Sequence, residues 1–299
     1  MTEALLLALK LSVVALVFGV GLGSTASDLA YLWRRPRQLA RSLAAMYVVV
    51  PLVILVLAKV LPMTPAVRTA VLVLAVSAGA PLLPKKLVKL GREGYVFSLV
   101  VTSSLVAIVA VPLWVELIAA AFGRDAQVDP WRLATLIARA FLGPLLLGMG
   151  ARRLIGPVSE RLSERLLAVA GIVLVVAAGA LLLVHGHLLF EAGLRPVVGL
   201  LSMTVIALAV GHLMGGPDPG DRAALAVSCA TRHVGVAVLA ASAVPGPKTA
   251  AFVLAYAITA GLTSAAYLRW LSSGRTETAA AESPAAAVDC PPEGPHVRT

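Results

Sequence analysis

The chain is a succession of long apolar runs divided by short polar loops. Nine runs reach spanning length, approximately 4–23, 39–61, 67–84, 94–121, 132–151, 163–184, 194–214, 221–243 and 248–271. A helix of about 20 apolar residues crosses a hydrocarbon core about 30 Å thick. The pattern therefore predicts an all-α polytopic membrane protein. The first run lacks a small-residue cleavage site and leads into a basic loop, so it reads as a retained helix and not a signal peptide. From Ser272 onward the sequence is rich in Ala, Glu, Pro and Thr and has no apolar face. Residues 272–299 are expected to be a disordered cytoplasmic tail behind a transmembrane domain spanning 1–271.

Loop charge alternates along this pattern. Arg34, Arg35, Arg37 and Arg41 follow the first run, Lys85, Lys86, Lys89 and Arg92 the third, and Arg152, Arg153, Arg161 and Arg165 the fifth. The even-numbered loops are poorer in Lys and Arg. The loop after run seven departs from the alternation, because Arg222 is outweighed by Asp218 and Asp221, but acidic residues count little in the positive-inside rule. The rule places the N-terminus outside and the C-terminus in the cytoplasm of a bacterial inner membrane. Composition agrees: 59% of residues are hydrophobic and 13% charged. The net charge of +10 would suggest nucleic acid in a soluble protein. Here it resides in the loops, so topology accounts for it and no nucleic-acid partner is expected. Cys229 lies inside a run and Cys290 in the tail, a distribution that sets up no disulfide framework.

Two runs are interrupted. The third reads Val76-Ser-Ala-Gly-Ala-Pro-Leu-Leu-Pro-Lys-Lys86, and prolines three residues apart after a glycine break a helix ladder. Carbonyls freed at membrane depth are tolerated only where they face protein or a watery cavity. The eighth run carries Ser228, Thr231, Arg232 and His233 near its middle, followed by Gly235. Counted as a helix from 223 to 243, it rises about 30 Å and puts Arg232 near the midplane. An arginine there costs about 2.5–3.5 kcal/mol on insertion scales and marks a partner or pathway by default. The bland alternative is an arginine tied to a carbonyl or carboxylate purely to hold helices together. Lys85 is either an ordinary loop charge or, if a half-helix resumes after Pro81, a second cation at the crossing, where an anionic ligand would be favoured. Corresponding polar clusters, among them Thr102-Ser103-Ser104 and Thr259 to Ser264, recur at an offset of five runs. An odd offset is what an inverted-topology repeat requires, with halves near 4–121 and 132–271.

Other polar positions read more simply. Arg139 either joins a buried site, lines a helix interface or snorkels. Lys10 and His212 sit near run ends. His185-Gly-His187 is a weak metal pattern, and no metal or other cofactor is expected. Gly19, Gly23 and Ser24 suit close helix packing. No nucleophile–base set or glycine-rich phosphate loop appears, so the chain is not read as an enzyme.

Gly19-Val-Gly-Leu22 with Asp28 and Arg34-Arg-Pro36, Pro51, Ser77-Ala-Gly-Ala-Pro81, Val101-Thr-Ser-Ser104 and Ala230-Thr-Arg-His-Val-Gly-Val236 come in an order and spacing that resemble the bile acid:sodium symporter family over residues 15–270. The resemblance implies a secondary transporter with two inverted repeats of five helices, in each of which the fourth helix is broken. It also implies that the first of the ten helices is missing here, which leaves nine. The sodium-coupled members carry Glu, Gln and Asn where this chain has Ser228, Arg232 and His233. In the first broken helix their hydroxyl and Asn positions fall on Leu82, Pro84 and Lys85, and only Thr102 keeps a matching ligand type. A site that loses a carboxylate and gains cations repels Na⁺.

The expected function is transport of a small or amphipathic organic anion across the bilayer, with sodium coupling in doubt and protons as an alternative through His233. Arg232 is read as the residue that meets the substrate carboxylate or compensates charge. His233, Thr231, Ser228, Thr102 and Ser103 line the substrate site, and Lys85 assists. Two rival readings are a membrane enzyme or lipid-binding protein holding an anionic headgroup, and a non-transporting relative. The oligomeric state is not set by the sequence.

Overall fold

The computed structural model describes residues 2–61, 63, 65–77, 93–122, 130–185, 194–232 and 247–282. These are helical almost throughout: α1 (Thr2–Gly23), α2 (Ala26–Trp33), α3 (Pro36–Val60), α4 (Pro65–Val76), α5 (Glu93–Ala121), α6 (Pro130–Ile155), α7 (Val158–His185), α8 (Leu194–Met214), α9 (Pro219–Ala230) and α10 (Pro247–Glu282). Among the described residues four helices are long and apolar enough to cross a membrane, Pro36–Val60, Gly94–Ala121, Val158–Ala180 and Val197–Met214, and Leu7–Gly23 forms a shorter apolar helix.

Polarity is arranged inside out. Along α3, Val48, Leu52, Val56 and Val60 are exposed at the i, i+4 spacing that lines one helix face. Ser42, Ser77, Ser98, Thr102, Ser103, Thr204, Ser228, Thr231 and Arg232 are buried. Lipid solvates the apolar exterior, while each interior polar group must find a partner inside the protein.

The chain divides into two compact units, Met1–Ser264 and Ala265–Thr299. Within the first, α1 packs on α6 and α7, and a second group forms around α3, α4, α5, α8 and α9. Glycines set the close approaches. A Cβ on Gly21 would overlap the Leu145 carbonyl, one on Gly148 the Phe18 carbonyl, and one on Gly23 would come within 2.8 Å of Ser163 Oγ. Ser163 also donates to the Gly19 carbonyl at 2.7 Å. The expected role of Gly19 and Gly23 in close packing is thus seen, while the Ser24 hydroxyl bonds the Val20 carbonyl of α1 at 2.6 Å. Arg152 closes the end of α1, donating to the Gly23 carbonyl at 2.7 Å while paired with Glu160 at 2.9 Å. The C-terminal ends of α1 and α6 therefore lie side by side.

The structure locates the two interruptions expected from the sequence and adds two elements that were not. In run three α4 stops at Val76, ahead of the proline pair, and 78–84 lie outside the described residues. In run eight α9 stops at Ala230, with Thr231 as its C-cap. Arg232 therefore lies just past a helix end and not in mid-helix. The short helix α2 was not anticipated between the first two spans. It is held by a capping box in which Thr25 and Asp28 satisfy each other's backbone N–H. The last helix runs past the expected 271 to Glu282, and residues from 283 lie outside the described part.

Candidate functional site

The site begins with a defect in α3. A proline inside a helix supplies no N–H, and Pro51 follows a π-helical turn, Ala45–Val49. In that turn Val50 N–H bonds the Ala45 carbonyl. The next residue would serve Met46 in the π register or Tyr47 in the α register, and it is Pro51. Both carbonyls are met by side chains from elsewhere. Trp114 Nε1 donates to the Tyr47 carbonyl at 2.8 Å, and Arg232 Nη1 to the Met46 carbonyl at 2.9 Å. The Tyr47 hydroxyl donates in turn to the Ser103 carbonyl of α5.

Two helix ends complete it. At the C-terminus of α4 the Ser77 hydroxyl folds back on the Leu74 carbonyl at 2.8 Å, leaving the Ser77 carbonyl to accept from the same Arg232 Nη1 at 3.1 Å. At the C-terminus of α9 the Thr231 N–H and hydroxyl both bond the Val227 carbonyl, at 2.7 and 2.6 Å. Tyr256 of α10 accepts from Arg232 N–H at 3.1 Å and donates its hydroxyl to the Ala230 carbonyl. Arg232 thereby joins α3, α4, α9 and α10.

α9 is held in place by small residues. Ala223 to Ala230 are all buried, and α8 comes close enough that a Cβ on Gly211 would lie 2.5 Å from Ala226 Cα. Asp218 caps the N-terminus, accepting from the N–H groups of Gly220 and Asp221 at 2.9 and 3.0 Å. Gln38 of α3 donates to the buried Asp221 at 2.9 Å.

The Arg232 side chain is fully enclosed, and no ion pair to it occurs among the described residues. Its charge is answered by oxygen dipoles instead. The C-terminus of a helix carries the equivalent of about half a negative charge, and two such ends meet here. The arrangement would suit a cation in the position of the guanidinium, because half-helix ends and unwound carbonyls are what transporters use to hold coupling ions.

Of the residues singled out in the sequence, Ser228, Thr231, Arg232, Thr102 and Ser103 are all buried. Arg232 and Ser103 are linked through Met46 and Tyr47 of the π turn. His233 and Lys85 lie outside the described residues, as does His187. Arg139 is exposed on α6 and does not join the cluster. No group of three or more metal-ligating side chains occurs among the described residues. Sequence reasoning missed Met46, Tyr47, Trp114 and Tyr256. Pro51 in mid-span was the available signal for the first three. Apart from the Arg232 cluster, a concavity of about 470 Å³ is lined by Ser27, Asp28, Tyr31, Arg34, Arg35 and Gly94, with Arg35 stacked 4.1 Å over the Tyr31 ring.

A search of curated proteins returned no match. Residues 10–216 match the model of the sodium bile acid symporter family; the segment holding α9 and Arg232 follows the matched region. With more than half of its length covered, this multi-pass membrane protein belongs to the sodium bile acid symporter family.

Proposed function

We propose that the protein is a sodium-independent secondary transporter of a small or amphipathic organic anion, in which Arg232 supplies permanently the positive charge that a coupling ion supplies in its sodium-coupled relatives. The observation that carries this reading is the pair of bonds from Arg232 Nη1 to the carbonyls of Met46 and Ser77. One comes from a turn freed by proline and the other from a helix end, both carbonyl types that attract cations. Ser228 standing where the relatives place a carboxylate supports the same reading, since a carboxylate there would be redundant beside a fixed cation.

Ser228, Thr231, Thr102 and Ser103 line the substrate site in this reading. Lys85 and His233 adjoin it, with His233 able to carry a proton. The inverted repeat is supported by the common offset of the polar clusters and by α4 and α9, two helices of 12 residues that each stop at a hydroxyl residue. The bonded ends of α1 and α6 support placing the basic loops together in the cytoplasm of a bacterial inner membrane, with the N-terminus outside.

The test is uptake of labelled cholate into proteoliposomes under an inward gradient of NaCl or choline chloride at equal ionic strength. Equal uptake in both, abolished in Arg232→Ala protein that still inserts and folds, is expected. Uptake that needs sodium, or an Arg232→Ala variant that transports normally, would refute the assignment.

A further inference from the structure

A guanidinium carries five N–H donors in a rigid planar fork, and the structure accounts for two of those of Arg232. Nη1 bonds two carbonyls, while Nε and Nη2 are buried with no hydrogen-bond partner among the described residues. Buried polar groups are almost always paired, so each exception asks for a partner. These two nitrogens also form a geometric unit. Nη1 is the terminal nitrogen on the Cδ side, so Nε–H and the adjacent Nη2–H point out together along the opposite edge. That edge matches the two oxygens of a carboxylate.

A brace between two carbonyls does not need this edge. A lysine ammonium, with three donors and the same charge, could bond Met46 and Ser77 alone. What a guanidinium adds at this position is the second edge, and it is the edge left over.

We infer that the Nε–Nη2 edge of Arg232 binds a carboxylate of the transported anion side-on while Nη1 stays bonded to Met46 and Ser77. The inference rests on the transport reading above and names the substrate class of that same site. Charge compensation and substrate recognition, which the sequence left as alternatives for Arg232, become two edges of one group. Because the residue is fully enclosed, an anion reaches this edge only when the surrounding helices part. Once there it is stripped of water, which favours a ligand able to satisfy both donors at once.

The test uses the purified full-length protein in detergent and sodium-free choline buffer. Benzoate is titrated against benzamide, its neutral counterpart of the same shape, and Tm is followed. A saturable rise with benzoate and none with benzamide is expected, since a ligand of the folded state raises apparent stability. Arg232→Lys retains the charge and a donor for the carbonyls but has no side edge. Its benzoate affinity is expected to fall about tenfold or more, the factor for losing one charge-assisted hydrogen bond.

Absence of a benzoate-specific shift in the wild type overturns the inference, and so does an undiminished shift in folded Arg232→Lys protein. If that variant fails to fold, the comparison of benzoate with benzamide on the wild type decides alone. Sodium-specific stabilisation of the wild type would overturn the sodium-independent reading without touching the benzoate result, so the two failures are distinguishable.

Discussion

Removing the guanidinium should convert the site into one that responds to sodium. In Arg232→Gln the carbonyls of Met46 and Ser77 lose the donor that now satisfies both. Two hydrogen bonds to a charged group are lost, about 1.5–3 kcal/mol each. Against this, the unpartnered Nε and Nη2 groups disappear, and each buried unsatisfied group had cost about 1–3 kcal/mol. The opposing contributions are of similar size, so absolute stability is a poor diagnostic. The sodium-dependent part is a good one. The variant leaves two carbonyl oxygens and two helix C-termini facing a space without positive charge, and hard cations take oxygen ligands. A site with a Kd of about 10 mM, in about 100 mM NaCl, adds about 1.4 kcal/mol of apparent stability. The assay is thermal unfolding in NaCl against choline chloride at equal ionic strength. A saturable sodium-specific stabilisation of Arg232→Gln, absent from the wild type, is expected. No such shift in the variant, or the same shift in both proteins, would show that the guanidinium does not stand in for an ion.

Two further outcomes follow from the same region. Tyr256→Phe removes a hydroxyl that serves both Arg232 N–H and the Ala230 carbonyl; leaving buried backbone groups unpaired should lower stability by about 1–3 kcal/mol for each, read as a lower midpoint of thermal unfolding. Gly211→Val drives side-chain atoms into the backbone of Leu225 and Ala226 on α9, where even a Cβ lies 2.5 Å from Ala226 Cα; overpacking costs about 1–3 kcal/mol or more, and loss of monodisperse protein in size-exclusion chromatography is expected, whereas a variant as stable as wild type would show that α8 and α9 can separate freely.

Much of the fold was legible because lipid imposes a simple rule on sequence. Spans such as 94–121 and 194–214 were drawn almost to the residue, since only apolar helices of that length satisfy their backbone in a bilayer. The interruptions in runs three and eight were also legible, through Pro81, Pro84 and the polar residues around Arg232. Their effect was harder to place. A proline gives no N–H to the carbonyl four residues back; for Pro81 that residue is Ser77, the first past the end of α4 at Val76. α9 ends at Ala230 with no proline nearby, because its last carbonyls are satisfied by Thr231 and Tyr256 and not by a continuing ladder. The partners of Arg232 were illegible for a general reason. They are backbone carbonyls, which every residue possesses, and only the proline five positions on distinguishes Met46 from its neighbours. Tyr256, 24 residues away in another helix, carries no local signature at all.

The bond between Arg232 and its own chain has a thermodynamic consequence. A coupling ion does work because it enters on one side and leaves on the other, running down its gradient as it goes. A charge fixed to the polypeptide returns with the carrier on every cycle, so it stabilises the site without drawing on any gradient. On the reading proposed here, such a carrier draws nothing from a sodium gradient, and in cycles where His233 carries no proton it equilibrates its substrate and does not concentrate it against the substrate's own electrochemical potential. Its net direction would then be decided by metabolism, according to which side of the membrane consumes the anion.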